Sequence, residues 1–455
     1  MQKKLSLKDY TYLASMLFGM FFGAGNLIFP VYMGQLAGRN VWPATLGFLI
    51  TGVGLPLLGI VAMGISHSSG LNEMGSRVHP IYSIFFTCAL YLTIGPFFAI
   101  PRTATVSFEV GLAPLLPDNR IKLTLAIFSF LFFAAVLWFS IRPSKILLWI
   151  GKILNPIFLL SLSILIVAAL INPMGSIAEL PVAESYQSNS FFKGFLEGYN
   201  TMDALAALAF GIVVIKVIRD LGVKEPTTIA ADTVKSGFFS TLIMALIYIF
   251  LTIIGAQSRG IFEISANGGE ALSLISKYYL GTIGSFVLAL TMIFACLKTA
   301  IGLITSCSET FVTLFPKSFG YKVYAILFCI ISFAIANVGL SNIISFSIPV
   351  LMFLYPLAIT LILLSLFHNL FRGARCVYLS VTGFTLFAAI FDFVKALPDN
   401  IKDTQFLRAL IAFASKYLPF YDLGLGWIVP AIIGLIVGLI IYVSSVSPRP
   451  VNKKH

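Results

Sequence analysis

Apolar runs of roughly 17–25 residues, the length that crosses a bilayer as a helix, recur along the whole chain. Their approximate limits are 9–36, 41–66, 80–112, 122–141, 146–171, 193–218, 236–256, 282–314, 321–338, 342–366, 376–395 and 424–446. Nothing constrains the fold more. Charged residues make up 11% of the chain and hydrophobic residues 58%, whereas a soluble domain needs roughly 25% charged residues to cover itself. The runs are also too long for the ~10-residue alternating strands of an outer-membrane barrel. The chain therefore reads as an all-α integral membrane protein of about twelve transmembrane helices, with the bilayer as its first partner. The third and eighth runs are long enough to tilt or bend, and Pro96 and Pro101 predict a kink in the third.

The net charge of +12 does not point to nucleic acid, because the basic residues sit in short loops between the runs. With the N-terminus inside, inside segments hold 18 of the 30 Lys and Arg, outside segments 10, and Arg102 and Lys298 lie within the membrane. That bias predicts two cytoplasmic termini. The five cysteines show no paired spacing and read as buried thiols. His67, His79, His368 and His455 fall in loops or at the end, so no metal site beyond a monovalent cation site is implied. No cofactor motif occurs. The stretch GGEALSLISKYYLGTIG reads either as a short surface helix or as a connecting loop.

The run LFGMFFGAGNLIFPVYMG breaks helical rules at membrane depth. Irregular backbone is tolerated there only where it faces protein or a water-filled cavity. Gly23 and Gly25 permit unusual dihedrals and close approach; Pro30 removes one helical bond. A half-helix starting near Leu27 offers free N–H groups to a carboxylate. A half-helix ending near Phe22 offers carbonyls to an ammonium or Na⁺. The alternative is a glycine-rich packing face with a proline kink; Asn26 in the same turn favours a site. A matching break is expected in FFKGFLEGYNTMDALAALAFGIVVIKV, near 199–211, over Asn200, Thr201 and Asp203 and the small-residue run to Gly211; an aspartate at depth points to function. The two breaks lie five spans apart, as a 5+5 inverted repeat with two extra helices requires. The repeats would cover 1–192 and 193–368, with spans eleven and twelve and the tail in 369–455.

Other buried charges remain. Arg102 and Glu109, seven residues apart on one helix face, read as an ion pair or a gate. Asp392 and Lys395, three apart near a span end, read as structural. No HExxH or G-x-S-x-G pattern supports an enzyme, no Walker A motif supports a pump, and half-depth breaks suit an occluded site better than a channel pore.

Five blocks carry a resemblance: GMFFGAGNLIFP, GFLITGVGLPLLGI, YLTIGPFFAIPRTATVSFEVG, GYNTMDALAALAFGIVV and SIPVLMFLYPLAI. Across essentially its whole length the chain resembles the bacterial branched-chain amino acid:cation symporters. That resemblance implies a LeuT-like fold in the cytoplasmic membrane. It implies uptake of leucine, isoleucine and valine by alternating access, usually with Na⁺. Another small neutral zwitterion is the alternative substrate. GAGN, spanning Gly23, Ala24, Gly25 and Asn26, is similar to the unwound motif of that fold. The likeness implies carboxylate contacts from the N–H groups of Ala24 and Gly25, an amine contact from the Phe21 carbonyl, and Asn26 near a cation. It also implies a Na⁺ site built from the Gly19 and Phe22 carbonyls with Ala295 and Thr299. Lys298 stands where that pattern has a hydroxyl, a departure that admits H⁺ as coupling ion instead.

Overall fold

The structure is a computed structural model describing residues 5–66, 68, 70–141, 155–223 and 225–446. Helices dominate, and no strand occurs among the described residues. Each expected span has a helical counterpart. Spans one to four are Leu7–Phe21 with Gly25–Ala37, 41–65, 80–111 and Asp118–Ser140. Span five is Asn155–Ile171; its expected start, 146–154, lies outside the described residues, as do His67, His455, Lys3, Lys4, Arg449, Lys453 and Lys454. Spans six to eight are Ser190–Asp220, Pro226–Ser258 and Gly268–Leu314, and the last four are Tyr321–Ala336, Leu340–Leu366, Arg375–Ala396 and Ile428–Val446. All five cysteines are free thiols.

The break in span one is shorter than the sequence suggests. The first half ends at Phe21 and the second begins at Gly25. Pro30 lies inside the second half, where a helix loses one hydrogen bond but continues. In span six, the first half Ser190–Glu197 gives way to a tighter turn over Gly198–Thr201, and the helix restarts at Asp203. Met202 between them has φ 61°, a conformation that a long side chain rarely adopts. The small-residue run up to Gly211 is helical. Span three bends at Gly95, one residue before Pro96.

Within Gly268–Leu314, residues 268–280 form a helical segment of their own, and Gly281, with φ 63°, kinks the chain before the rest of the span. Asn267 caps this helix by accepting from the amides of Gly269 and Glu270 at 2.9 and 3.1 Å.

Packing follows the two breaks. Both halves of span one lie on span seven, both halves of span six lie on span two, and span three lies along span eight. Backbones touch at these crossings. A β-carbon on Gly34 would stand 2.1 Å from the Thr252 carbonyl oxygen; one on Gly194 would stand 1.9 Å from that of Ala44. Small residues at the crossings let helices associate where lipid provides no hydrophobic drive.

Arg102 and Glu109 do not pair. Seven helical residues share a face but are separated by about 10 Å of rise, beyond ion-pair reach. Glu109 packs instead against Gly269 of the helix before span eight.

Candidate functional site

The two breaks face each other across a cavity. Its wall includes Met20, Phe21, Gly23, Ala24, Gly25 and Asn26 from span one and Thr201, Met202, Asp203, Ala206 and Phe210 from span six. Span three contributes Ile94, Ala99, Arg102 and Thr103, and span eight contributes Thr299 and Leu303. The cavity has about 30 Å³ open to water-sized molecules, room for about two waters. Seating a branched aliphatic side chain requires the apolar walls to move apart.

Polar groups hold the breaks in place. Gly23 donates its N–H to Asn26 Oδ1 at 2.8 Å, closing the turn between the half-helices. Asn26 Nδ2 donates to Asp203 Oδ2 at 2.6 Å, which ties span one to span six. Tyr248 of span seven joins them: its hydroxyl donates to the same Asp203 oxygen at 2.7 Å and accepts from Asn26 Nδ2. Thr201 Oγ1 donates to the Gly198 carbonyl at 2.9 Å and accepts from the Asp203 N–H at 3.3 Å, so one hydroxyl serves both sides of the break. Thr51 of span two donates to the Phe195 carbonyl at 2.7 Å, satisfying a carbonyl near the end of span six's first half.

Two opposite charges line this one space. Asp203 is 2% exposed and Arg102 3% exposed, yet no ion pair joins them among the described residues. Arg102 lies with its guanidinium 4.9 Å over the Phe29 ring. A β-carbon on Gly25 would stand 3.3 Å from Arg102 Nη2, which sets the guanidinium beside the N-terminus of span one's second half. Arg102 Nη1 has no hydrogen-bond partner among the described residues. An anion here would meet a helix N-terminus and an arginine together.

Comparison with known proteins supplies the family. Residues 6–445 match the model of the branched-chain amino acid transport proteins. The chain belongs to that family. A branched-chain amino acid permease BrnQ from Lactobacillus delbrueckii subsp. lactis is 52% identical, over 94% of this chain and 96% of the relative. BrnQ of Bacillus subtilis is 44% identical, over 97% and 98%. Among solved structures, the fold is similar to Mhp1, a nucleobase-cation-symport-1 family transporter, in a closed conformation with bromovinylhydantoin bound. The TM-score is 0.58 at 13% identity, over 95% of this chain and 92% of that one. A mutant of the Eremococcus coleocola manganese transporter gives 0.59 at 12% identity, over 97% and 98%. These likenesses concern the fold. The family member is thus a multi-pass transporter and not an enzyme.

Most of the substrate residues expected from sequence line the cavity: Phe21, Gly23, Ala24, Gly25, Asn26, Thr201 and Asp203. Asn200 is buried but stands outside its wall. Of the expected cation residues, Thr299 reaches the wall, and a β-carbon on Gly23 would lie 3.1 Å from its methyl group. Gly19, Phe22, Ala295 and Lys298 are buried but stand outside the wall. Thr299 donates to the Ala295 carbonyl at 3.2 Å.

Two residues escaped the sequence reading. Arg102 was legible as a buried charge, but its spacing to Glu109 suggested the wrong partner. Tyr248 carried no mark at all, being one tyrosine in an apolar run.

Proposed function

We propose that this chain imports leucine, isoleucine and valine through alternating access, holding the substrate zwitterion between the two breaks. The observation carrying this reading is the pair of opposite buried charges that line one cavity without closing on each other. The carboxylate lies at the amides of Ala24 and Gly25 beside Arg102; the ammonium lies toward the Phe21 carbonyl and Asp203. The side chain faces Met20, Ile94, Phe210 and Leu303. A charged side chain there would have no partner and be strongly disfavoured. Uptake is driven by a cation gradient. Na⁺ lies between spans one and eight at Gly19, Phe22, Ala295 and Thr299, and contact between Gly23 and Thr299 supports that location. H⁺ takes its place if the amine of Lys298 occupies this region. Both termini are cytoplasmic in this reading, and the repeats are 1–192 and 193–368.

The test is uptake of labelled leucine into proteoliposomes under separate Na⁺ and proton gradients, with competing amino acids. Valine and isoleucine should compete strongly, lysine and aspartate weakly. Competition by lysine or aspartate equal to that by valine would refute the assignment.

A further inference from the structure

A second buried carboxylate lies away from the cavity. Asp392 of span eleven is 0% exposed, and neither of its oxygens has a hydrogen-bond partner among the described residues. The lysine three residues on is turned elsewhere. Lys395 Nζ donates to the Tyr421 carbonyl at 2.8 Å, lies 4.7 Å over the Tyr421 ring, and is 3.8 Å from Asp422. The segment just before span twelve lies against it: a β-carbon on Gly426 would stand 3.4 Å from Asp392 Oδ1. An ionised carboxylate in this setting has no hydrogen-bond donor among the described residues, and the Lys395 amine, within electrostatic reach, forms no ion pair with it, so the charged form is disfavoured.

The surroundings lead back to the cavity. Tyr199, in the broken segment of span six, stands within electrostatic reach of Asp392 and beside Trp427, without a hydrogen bond of normal geometry between hydroxyl and indole. Its ring stacks on Tyr355 of span ten, with centroids 4.0 Å apart and planes at 9°. Tyr355 in turn stands within electrostatic reach of Arg102 and Asp203. The hydroxyls of Tyr199 and Tyr355, the Trp427 N–H and Arg102 Nη1 are all buried and lack a hydrogen bond of normal geometry among the described residues, the Tyr355 hydroxyl standing near the Ala204 backbone. A row of buried polar groups thus runs from Asp392 to the substrate cavity, through the segment that breaks span six.

We propose that Asp392 is a proton-binding site linked to the substrate cavity through the Tyr199–Tyr355 stack. In the packed conformation described here the carboxyl is neutral. Movement of the broken segment admits water and releases the proton, so transport depends on external pH. This rests on the transport reading above and adds a site to it. The ionisable groups within electrostatic reach of Asp392 are Tyr199 on span six, Tyr421 just before span twelve, and Lys395 on its own helix.

The experiment compares wild type with Asp392→Asn, a neutral isostere of the protonated acid, in proteoliposomes at a fixed Na⁺ gradient. External pH is raised from mildly acidic to mildly alkaline while leucine uptake is followed. Wild-type uptake should fall toward about tenfold per pH unit above its midpoint, the slope for one proton. Asp392→Asn should give a flat profile. Tyr199→Phe, which keeps the stack, should shift the midpoint. An infrared band of a protonated carboxyl should be present in the wild type and absent from Asp392→Asn, whatever the transport activity. A wild-type profile retained in Asp392→Asn, a flat wild-type profile with uptake intact, or a carboxyl band unchanged by the substitution would overturn the proposal. An unmoved midpoint in Tyr199→Phe would overturn the link to the cavity. Wild-type protein that takes up no leucine at any pH counts against the transport reading instead, and the infrared band still decides this one.

Discussion

Removing one oxygen atom tests how the breaks are held. Tyr248→Phe deletes a hydroxyl that donates to Asp203 Oδ2 at 2.7 Å and accepts from Asn26 Nδ2. The ring keeps its packing, edge-on to Phe48 with centroids 5.2 Å apart and tilted toward Phe22 at 6.2 Å. Asp203 retains its 2.6 Å bond from Asn26, so no carboxylate is stranded. A hydrogen bond to a charged group contributes about 1.5–3 kcal/mol. If the three-way junction is needed in the form that captures substrate, that range lowers kcat/KM for leucine uptake by roughly 10- to 150-fold. Initial uptake rates, normalised to reconstituted protein, measure this. Tyr91→Phe is the control, because it also removes a buried hydroxyl, one that donates to the Ala209 carbonyl at 3.0 Å away from the cavity wall. A loss below about twofold in Tyr248→Phe, or equal losses in both variants, would refute the reasoning, since a general packing defect would then explain either result.

Three further substitutions probe the same centre. Gly25→Val should abolish uptake with the protein still inserted, because its β-carbon would stand 3.2 Å from the Phe29 ring and 3.3 Å from Arg102 Nη2; near-normal uptake with normal membrane levels would remove Gly25 from the site. Asp203→Asn should cut uptake by tenfold or so, as expected for a weakened bond to a charged group, or change its cation dependence. Uptake and ion dependence both unchanged would make Asp203 a structural residue only. Lys298 is 7% exposed and adjoins Thr299, so a protonated amine there should weaken Na⁺ dependence in the wild type. Lys298→Thr should strengthen it, and strict Na⁺ dependence that the substitution leaves unchanged would exclude the lysine from coupling.

What could be read from sequence and what could not divides along the range of the interaction. Spans are local: a helix in lipid must be apolar over its whole crossing, so each of the twelve runs could be bounded from its own residues. The breaks were local too. Gly23, Gly25 and Asn26 in one apolar run, and Gly198, Asn200 and Asp203 in another, conflict with an uninterrupted span wherever they occur. The extent of the first break was harder to judge, because Pro30 looks the same from sequence whether it ends a helix or is absorbed within one. The failures all concern which polar group meets which. Arg102 and Glu109 share a helix face but not a neighbourhood, and Asp392 and Lys395 are adjacent on a helix yet diverge. Tyr248 meets partners 222 and 45 residues away, a separation at which periodicity carries no information. In a bilayer every helix is apolar outside, so hydropathy patterning, which sorts inside from outside in a soluble protein, says little about which face meets another helix. The buried polar pairs decide that, and they are the part of this fold that only the assembled structure makes visible. For the same reason the candidates for function stand among them: a polar group at membrane depth without a local partner is expected to meet a distant one, or the substrate.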